Sequence, residues 1–178
     1  MYLILLTLSF LGTNGTMFYI LFRNRLERKS SVSLHAAINN RSHATFALGH
    51  FIGGLVFLYF AYRLFYVDNG SLTLLAVSCI GFFAEQVQAF LPNKGRFVRT
   101  HTVAAVSMAA SMTVLVFAAL SVFRLDGSWL VAYVGLIVLL CASGAYALFN
   151  KHKFYQTQML FFSVFYLFLL IFVYGSKS

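Results

Sequence analysis

Two short stretches of this chain combine a basic residue, a hydroxyl and a histidine in the same order. They are Arg41-Ser42-His43 and Arg99-Thr100-His101, and a looser third copy joins Lys153 to Thr157-Gln158. Each stretch stands where an apolar segment begins, close to the N-terminus of a predicted helix, where free amides and the helix dipole attract anions. The pattern therefore predicts a basic ring that binds a phosphate headgroup or an acidic segment of a partner, formed by Arg41, His43, Arg99, His101 and Lys153.

The hydroxyls in these stretches have a second explanation. Ser and Thr are common helix caps, because the side-chain oxygen accepts a hydrogen bond from the first turn. Ser42, Thr100 and Thr157 then only begin their helices, and the basic residues beside them only fix topology.

A second group of polar residues lies deeper in the apolar segments. Counted from the basic ends at ~1.5 Å per residue, His50 and Glu85 are both about 10 Å deep. A short turn joins their segments, so we expect the two to face one another as an imidazole–carboxylate pair. Isolated charge in hydrocarbon costs at least ~2.5 kcal/mol, so Glu85 should be protonated, paired or beside water. The predicted buried polar layer comprises Asn14, His50, Glu85, Ser107 and Ser111.

This layer has two interpretations. It shapes an interior cleft, or its side chains only hydrogen-bond the helices together, as polar residues commonly do in membrane bundles. Small residues around it, including Gly49, Gly53 and Gly54, are typical of close helix approach.

Composition defines the elements that must position these residues. The chain is 61% hydrophobic and 10% charged, with 21 Phe, 10 Tyr and a single Pro in 178 residues. Apolar runs near the ~20 residues needed to cross a bilayer predict an all-α, polytopic integral membrane protein of one domain, residues 1–178. The six predicted transmembrane helices are Tyr2 to Phe22, His43 to Val67, Leu72 to Leu91, Thr102 to Phe123, Trp129 to Phe149 and Thr157 to Tyr174.

The chain also repeats itself. The number of residues from His43 to Asp68 equals that from His101 to Asp126. The sequence from Asn150 to Phe154 also resembles that from Asn93 to Phe97. We interpret this as two and a half tandem hairpin repeats that start near residues 41, 96 and 153. Repeated membrane hairpins commonly place a binding site between the copies.

The net charge of +9 is distributed unevenly along the chain. Most basic residues fall in the connections after the first, third and fifth spans, which is the positive-inside pattern and not a nucleic-acid signal. That side is predicted to be cytoplasmic and both termini to lie outside, in a bacterial inner membrane or a plasma membrane. The connection from Arg23 to Asn40 is expected to be a solvated loop or to lie along the inner leaflet.

Three kinds of chemistry require residues of these types. A bis-histidine haem needs ligands at matching depth, and His50 has no histidine opposite it. Ser107 or Ser111 with His50 and Glu85 has the residue types of a hydrolytic triad but no strained nucleophile turn. A proton relay through His50 and Glu85 would suit a transporter. The balance leans against an enzyme, and no cofactor or metal is expected.

The segment from Gly81 through Pro92 to Arg99-Thr100-His101 and Ala104 resembles the Frag/DRAM-like six-span membrane family and its prokaryotic relatives of unknown function. In that pattern a span ends in a proline turn and the next begins with a histidine. Asn93-Lys94 replace the acidic residue that follows the proline in the family. The resemblance implies a small helical bundle associated with lipid handling or membrane regulation, without an established catalytic set.

Together these patterns predict a small integral membrane protein that binds a lipid or another membrane protein in an accessory or regulatory role. Its expected partners are membrane lipids, another membrane protein or a second copy of the chain, and not nucleic acid. A proton-linked transporter is the alternative, and an intramembrane hydrolase is the third hypothesis.

Overall fold

The computed structural model describes residues 1–23, 31–149 and 154–175, which form helices and turns without a β-strand. Six helices are long and apolar enough to cross a membrane, as predicted. We label these helices α1 to α6 in chain order. They are Tyr2–Arg23, Asn40–Val67, Leu72–Phe90, Val98–Ala119, Gly127–Phe149 and Phe154–Gly175.

Shorter elements complete the backbone. Val32–Ala36 forms a five-residue helix before α2, and Gly95–Phe97 a 3₁₀ turn before α4. π-helical turns interrupt α1 at Leu11–Gly15 and end α2 at Tyr62–Val67. The connection after α3 turns at Gly95, whose φ of 58° favours glycine.

Four of the six helices, α2, α4, α5 and α6, begin earlier than the predicted apolar runs, and the predicted caps are wrong. Asn39 caps α2, because its Oδ1 accepts a hydrogen bond of 2.8 Å from the Ser42 N–H. Helix α4 begins at Val98 without a side-chain cap, which places Thr100 inside its first turn. Thr157 likewise lies within the first turn of α6. Polar residues can continue a helix at the ends of the bundle, so an apolar run places the starts of these four helices too late.

Packing brings the first four helices together in chain order, α1 on α2, α2 on α3 and α3 on α4. Helix α6 packs against α1, α4 and α5, and it is the most buried of the six, with 56% of its most apolar stretch inside the bundle. Helix α5 packs mainly against α6, and only 6% of its most apolar stretch is buried.

Two apolar clusters fill the interior. One lies toward the end of the bundle that carries Asp68 and Asp126, the acidic end, and is built around Phe60, Phe65 and Phe168. The other lies toward the end that carries Arg41, Lys94, Arg96 and Arg99, the basic end, and is built around Met17, Phe46 and Met108. The buried polar side chains at the level between the clusters are Ser9, Thr13, Asn14, His50, Ser78 and Glu85.

The connection between α1 and α2 is not a solvated loop over its described part. Val32 and Ala36 are 2% and 1% exposed and belong to the cluster at the basic end. The Val32 N–H donates to Gln158 Oε1 of α6 at 3.2 Å, and Lys94 Nζ donates to the Ala37 carbonyl at 3.4 Å. The segment 31–37 is therefore docked on the bundle, because Val32, Ala36 and Ala37 are buried there instead of facing water or lipid.

Candidate functional site

A cavity of about 360 Å³ lies at the basic end of the bundle. Its walls come from the 31–37 segment, the end of α3 and the beginnings of α4 and α6. The residues that line it are Ser31, Ser33, Gln88, Asn93, His101, Thr102, Ala105, Val106, Met108, Ala109, Thr157, Gln158, Phe161 and Phe162. The volume falls within the roughly 300–1,000 Å³ that is usual for ligand pockets.

The cavity is polar at one end and apolar at the other. Along α4 the lining changes from His101 and Thr102 to Ala105 and Ala109. Along α6 it changes in the same direction, from Gln158 near the basic end to deeper phenylalanines. On both helices the polar lining residues lie nearer the basic end and the apolar ones lie deeper, so the cavity as a whole is amphipathic.

Several polar groups in this cavity keep hydrogen-bonding capacity. Gln88 is 6% exposed, and its amide has no hydrogen-bond partner within the described residues. Gln158 Oε1 accepts from Val32, which leaves the Nε2 hydrogens unused. His101 Nδ1 donates to the Leu91 carbonyl at 2.8 Å, which leaves Nε2 for a second partner. The two amides offer donors to a negatively charged group.

The predicted basic ring is only partly assembled around this cavity. His101 is buried in the wall, whereas Arg99 is exposed and lies one turn before Thr102 on the same face of α4. Arg41 is exposed and does not line the cavity. His43 is half-buried, its electrostatic neighbours are Lys94 and His101, and its Nε2 has no hydrogen-bond partner. Lys153 lies outside the described residues.

A second, interior cavity of about 30 Å³ contacts the first. Met108 and Phe162 line both, so they form the partition between them. Glu85 lines the interior cavity, is 7% exposed, and has no hydrogen-bond partner at Oε1. The other polar residues in its wall are Ser78, Ser111 and Tyr166.

His50 and Glu85 are not paired. His50 Nδ1 donates to the Phe46 carbonyl of its own helix at 3.0 Å. Gln86, one residue beyond Glu85, faces α2 and donates to the His50 carbonyl at 3.4 Å. His50 and Glu85 are both buried. Because one residue along a helix turns the side chain by about 100°, Glu85 faces α4 and α6 while Gln86 faces α2.

The other residues of the predicted polar layer, Asn14, Ser107 and Ser111, are also not gathered around one site. Asn14 is 0% exposed, and neither polar atom of its amide has a hydrogen-bond partner. Ser111 lines the interior cavity and donates to the Ser107 carbonyl at 2.9 Å, while Ser107 is half-buried outside that wall. His50 bonds neither serine, so no triad is assembled in this part of the chain.

A hydrogen-bonded crossing of α1 and α2 was not foreseen in detail. Ser9 Oγ donates to the Gly53 carbonyl at 2.8 Å and also lies 2.7 Å from the Tyr166 hydroxyl of α6. Tyr166 is 3.1 Å from Thr13 Oγ1 as well. The glycines around Gly53 predicted the close approach, but Tyr166 stands in an aromatic run whose spacing gives no sign of its role.

No group of three or more metal-ligating side chains occurs in the described ranges. No protein-family model, curated protein or solved structure matches the chain. The resemblance to the Frag/DRAM-like family therefore stays a prediction, and any functional argument rests on the two cavities.

Proposed function

We propose that the chain binds a single anionic membrane lipid in the cavity at the basic end. The observation that carries this proposal is the amphipathic lining, since a lipid joins a charged headgroup to an apolar chain. The apolar half, bounded by Ala105, Ala109 and Phe161, suits the start of an acyl chain.

The headgroup would lie among the donors at the polar end. Gln88 and Gln158 each offer amide hydrogens, and Arg99 lies one turn above the rim of the cavity. A basic residue near an anionic lipid is worth about 1 kcal/mol. A headgroup that carries a phosphate and hydroxyls would use both the charge and the amides.

The acyl chain would leave the bundle between α4 and α6. Thr102 and Val106 line the cavity and are themselves exposed on the outer surface of α4. In a membrane this surface faces hydrocarbon, so a chain passing there would exchange with bulk lipid without crossing water.

The basic end faces the cytoplasm in this proposal, and both termini lie on the other side of a bacterial inner membrane or plasma membrane. The support is the concentration of Lys and Arg in alternate connections. The two and a half hairpin repeats would place the lipid between the starts of two copies, α4 and α6. An accessory role toward another membrane protein would fit this binding, because occupancy of the cavity would depend on the anionic lipid content of the membrane.

A matched pair of variants on α4 tests the proposal. Ala109 lines the cavity, while the adjacent Ala110 is exposed and does not. The protein, in detergent with added dioleoylphosphatidylglycerol, is examined by native mass spectrometry against dioleoylphosphatidylcholine. We expect one retained phosphatidylglycerol in the wild type and in Ala110→Trp, and none in Ala109→Trp.

Two outcomes would contradict the proposal. Equal retention of both lipids would remove the headgroup preference, and retention unchanged in Ala109→Trp would place the lipid elsewhere. Circular dichroism and elution of each variant as a folded species confirm that a loss of lipid is not a loss of fold.

A further inference from the structure

Glu85 stands apart from the proposed lipid site. Of the four acidic residues in the chain, it is the one buried among spanning helices in the described part. Helix α2 contributes Phe57 to its cavity, α4 contributes Ser111 with Met108, Met112 and Leu115, and α6 contributes Phe162, Phe165 and Tyr166. Tyr166 is the only other titratable side chain in this lining, so no cation in the described wall compensates a carboxylate.

The interior cavity is large enough for water. A water molecule needs about 10–15 Å³ of such space and two to four polar partners. This cavity offers about 30 Å³ and four polar side chains. Ser78 donates its hydrogen to the Leu74 carbonyl at 2.8 Å, and Ser111 donates to Ser107, so both hydroxyls are left to accept from water.

The partition between the two cavities is thin and adaptable. Among the described residues, Met108 and Phe162 alone line both sides of it. Methionine is unbranched and repacks easily, which makes it a suitable residue for a transient opening. A second approach ends at Tyr166, which also lines an apolar groove between α1 and α6 together with Leu6 and Leu170.

We propose that Glu85 is a proton-binding site served by water in the interior cavity, and that protons reach it from the basic end between Met108 and Phe162. A hydronium ion in the larger cavity gives its proton to the Glu85 carboxylate, and release reverses the step, with no other bond changed. The groove on the far side of Tyr166 is lined mostly by apolar side chains, with Thr7 and Ser163 as the other hydroxyls in its described lining, so it is less suited to carry water.

Isotope-edited infrared spectroscopy tests this site directly. The chain has two glutamates, Glu27 and Glu85, so Glu27→Gln with ¹³C-carboxyl glutamate leaves a single labelled carboxyl. The protein is reconstituted in phosphatidylcholine vesicles, which keeps the measurement independent of phosphatidylglycerol binding. We expect a protonated-carboxyl band that converts to carboxylate bands as the pH is raised and that shifts when water is replaced by D₂O.

The route is tested by two tryptophan variants in the same background. Met108→Trp fills the partition and should abolish the shift in D₂O, whereas Leu170→Trp fills the apolar groove and should leave it intact. Phe162→Ala widens the partition and should shorten the time that the band takes to shift after transfer into D₂O. This second variant tests the route even if Met108→Trp does not fold.

Three results would overturn the proposal. A label that stays fully ionised at every pH, or whose protonated-carboxyl band does not shift in D₂O, would show that Glu85 binds no exchangeable proton. A shift lost in Leu170→Trp but kept in Met108→Trp would assign access to the other side. Exchange unchanged in Phe162→Ala and Met108→Trp would remove the partition from the route. None of these results bears on retention of phosphatidylglycerol, so the two proposals fail separately.

Discussion

The close packing of α1 on α2 depends on glycine at position 12. A Cβ atom there would lie 2.6 Å from Gly53 Cα and 2.8 Å from Gly53 N, and backbone atoms cannot rotate away. Gly12→Ala must therefore separate the helices. Overpacking costs about 1–3 kcal/mol, and weakening the Ser9 bond to the Gly53 carbonyl costs about 1 kcal/mol more. Better helix propensity returns up to about 1 kcal/mol, so we expect a net loss of about 1–3 kcal/mol.

The control for this substitution is Gly144→Ala on α5, where a Cβ would meet no atom within 4 Å. It should keep or slightly raise stability, by up to about 1 kcal/mol. Both variants are unfolded reversibly with SDS in dodecylmaltoside micelles and followed by the fluorescence of Trp129, the single tryptophan. If Gly12→Ala unfolds at the same SDS fraction as Gly144→Ala, the close crossing does not exist.

Three further substitutions test other parts of the structure. Tyr166→Phe removes a hydroxyl that lies 2.7 Å from Ser9 Oγ and 3.1 Å from Thr13 Oγ1, so the same unfolding assay should show a loss of about 1–2 kcal/mol. Asn14→Leu removes a buried amide without partners and should raise stability by about 1 kcal/mol; a loss instead would mean that the amide is satisfied. Arg99→Ala should weaken phosphatidylglycerol binding about fivefold, from about 1 kcal/mol per basic residue, in a native mass spectrometry titration where Arg99→Lys retains most of the affinity.

The six helices were predictable because apolar runs of sufficient length leave little alternative in a membrane. Their ends were less so. Helix α4 was expected from Thr102 to Phe123 and instead spans Val98–Ala119. Its beginning includes Arg99 and His101 because polar residues can continue a helix where water satisfies the free backbone groups at its end. Its end comes early because residues 120–122 close in tighter turns, in which the Ser121 N–H donates to the Ala118 carbonyl and the Val122 N–H to the Ala119 carbonyl.

The burial of His50 and Glu85 was predictable, but the direction in which Glu85 faces was not. Counting residues placed His50 and Glu85 at one level, and both are buried there. Which of Glu85 and Gln86 faces α2 depends on the rotation of α3, and that rotation is set by packing against two helices at once. Gln88 was not predicted as a site residue, and Gln158 was named only as part of the third short stretch. A glutamine near a helix end is typical of a membrane interface, and the sequence does not show that the 31–37 segment packs beside it.

The unequal packing of the helices accounts for the position of the larger cavity. Helices α2 and α3 pack together, but α4 packs mainly on α3 while α5 packs mainly on α6. Contacts of α5 concentrate near the acidic end, where Tyr133 packs on Phe168 and Trp129 lies beside Gly175. Toward the basic end α5 makes little contact, with Gly144 in open space and Phe149 86% exposed. No described residue of α5 lines the cavity, so its side between α4 and α6 stays open toward the membrane.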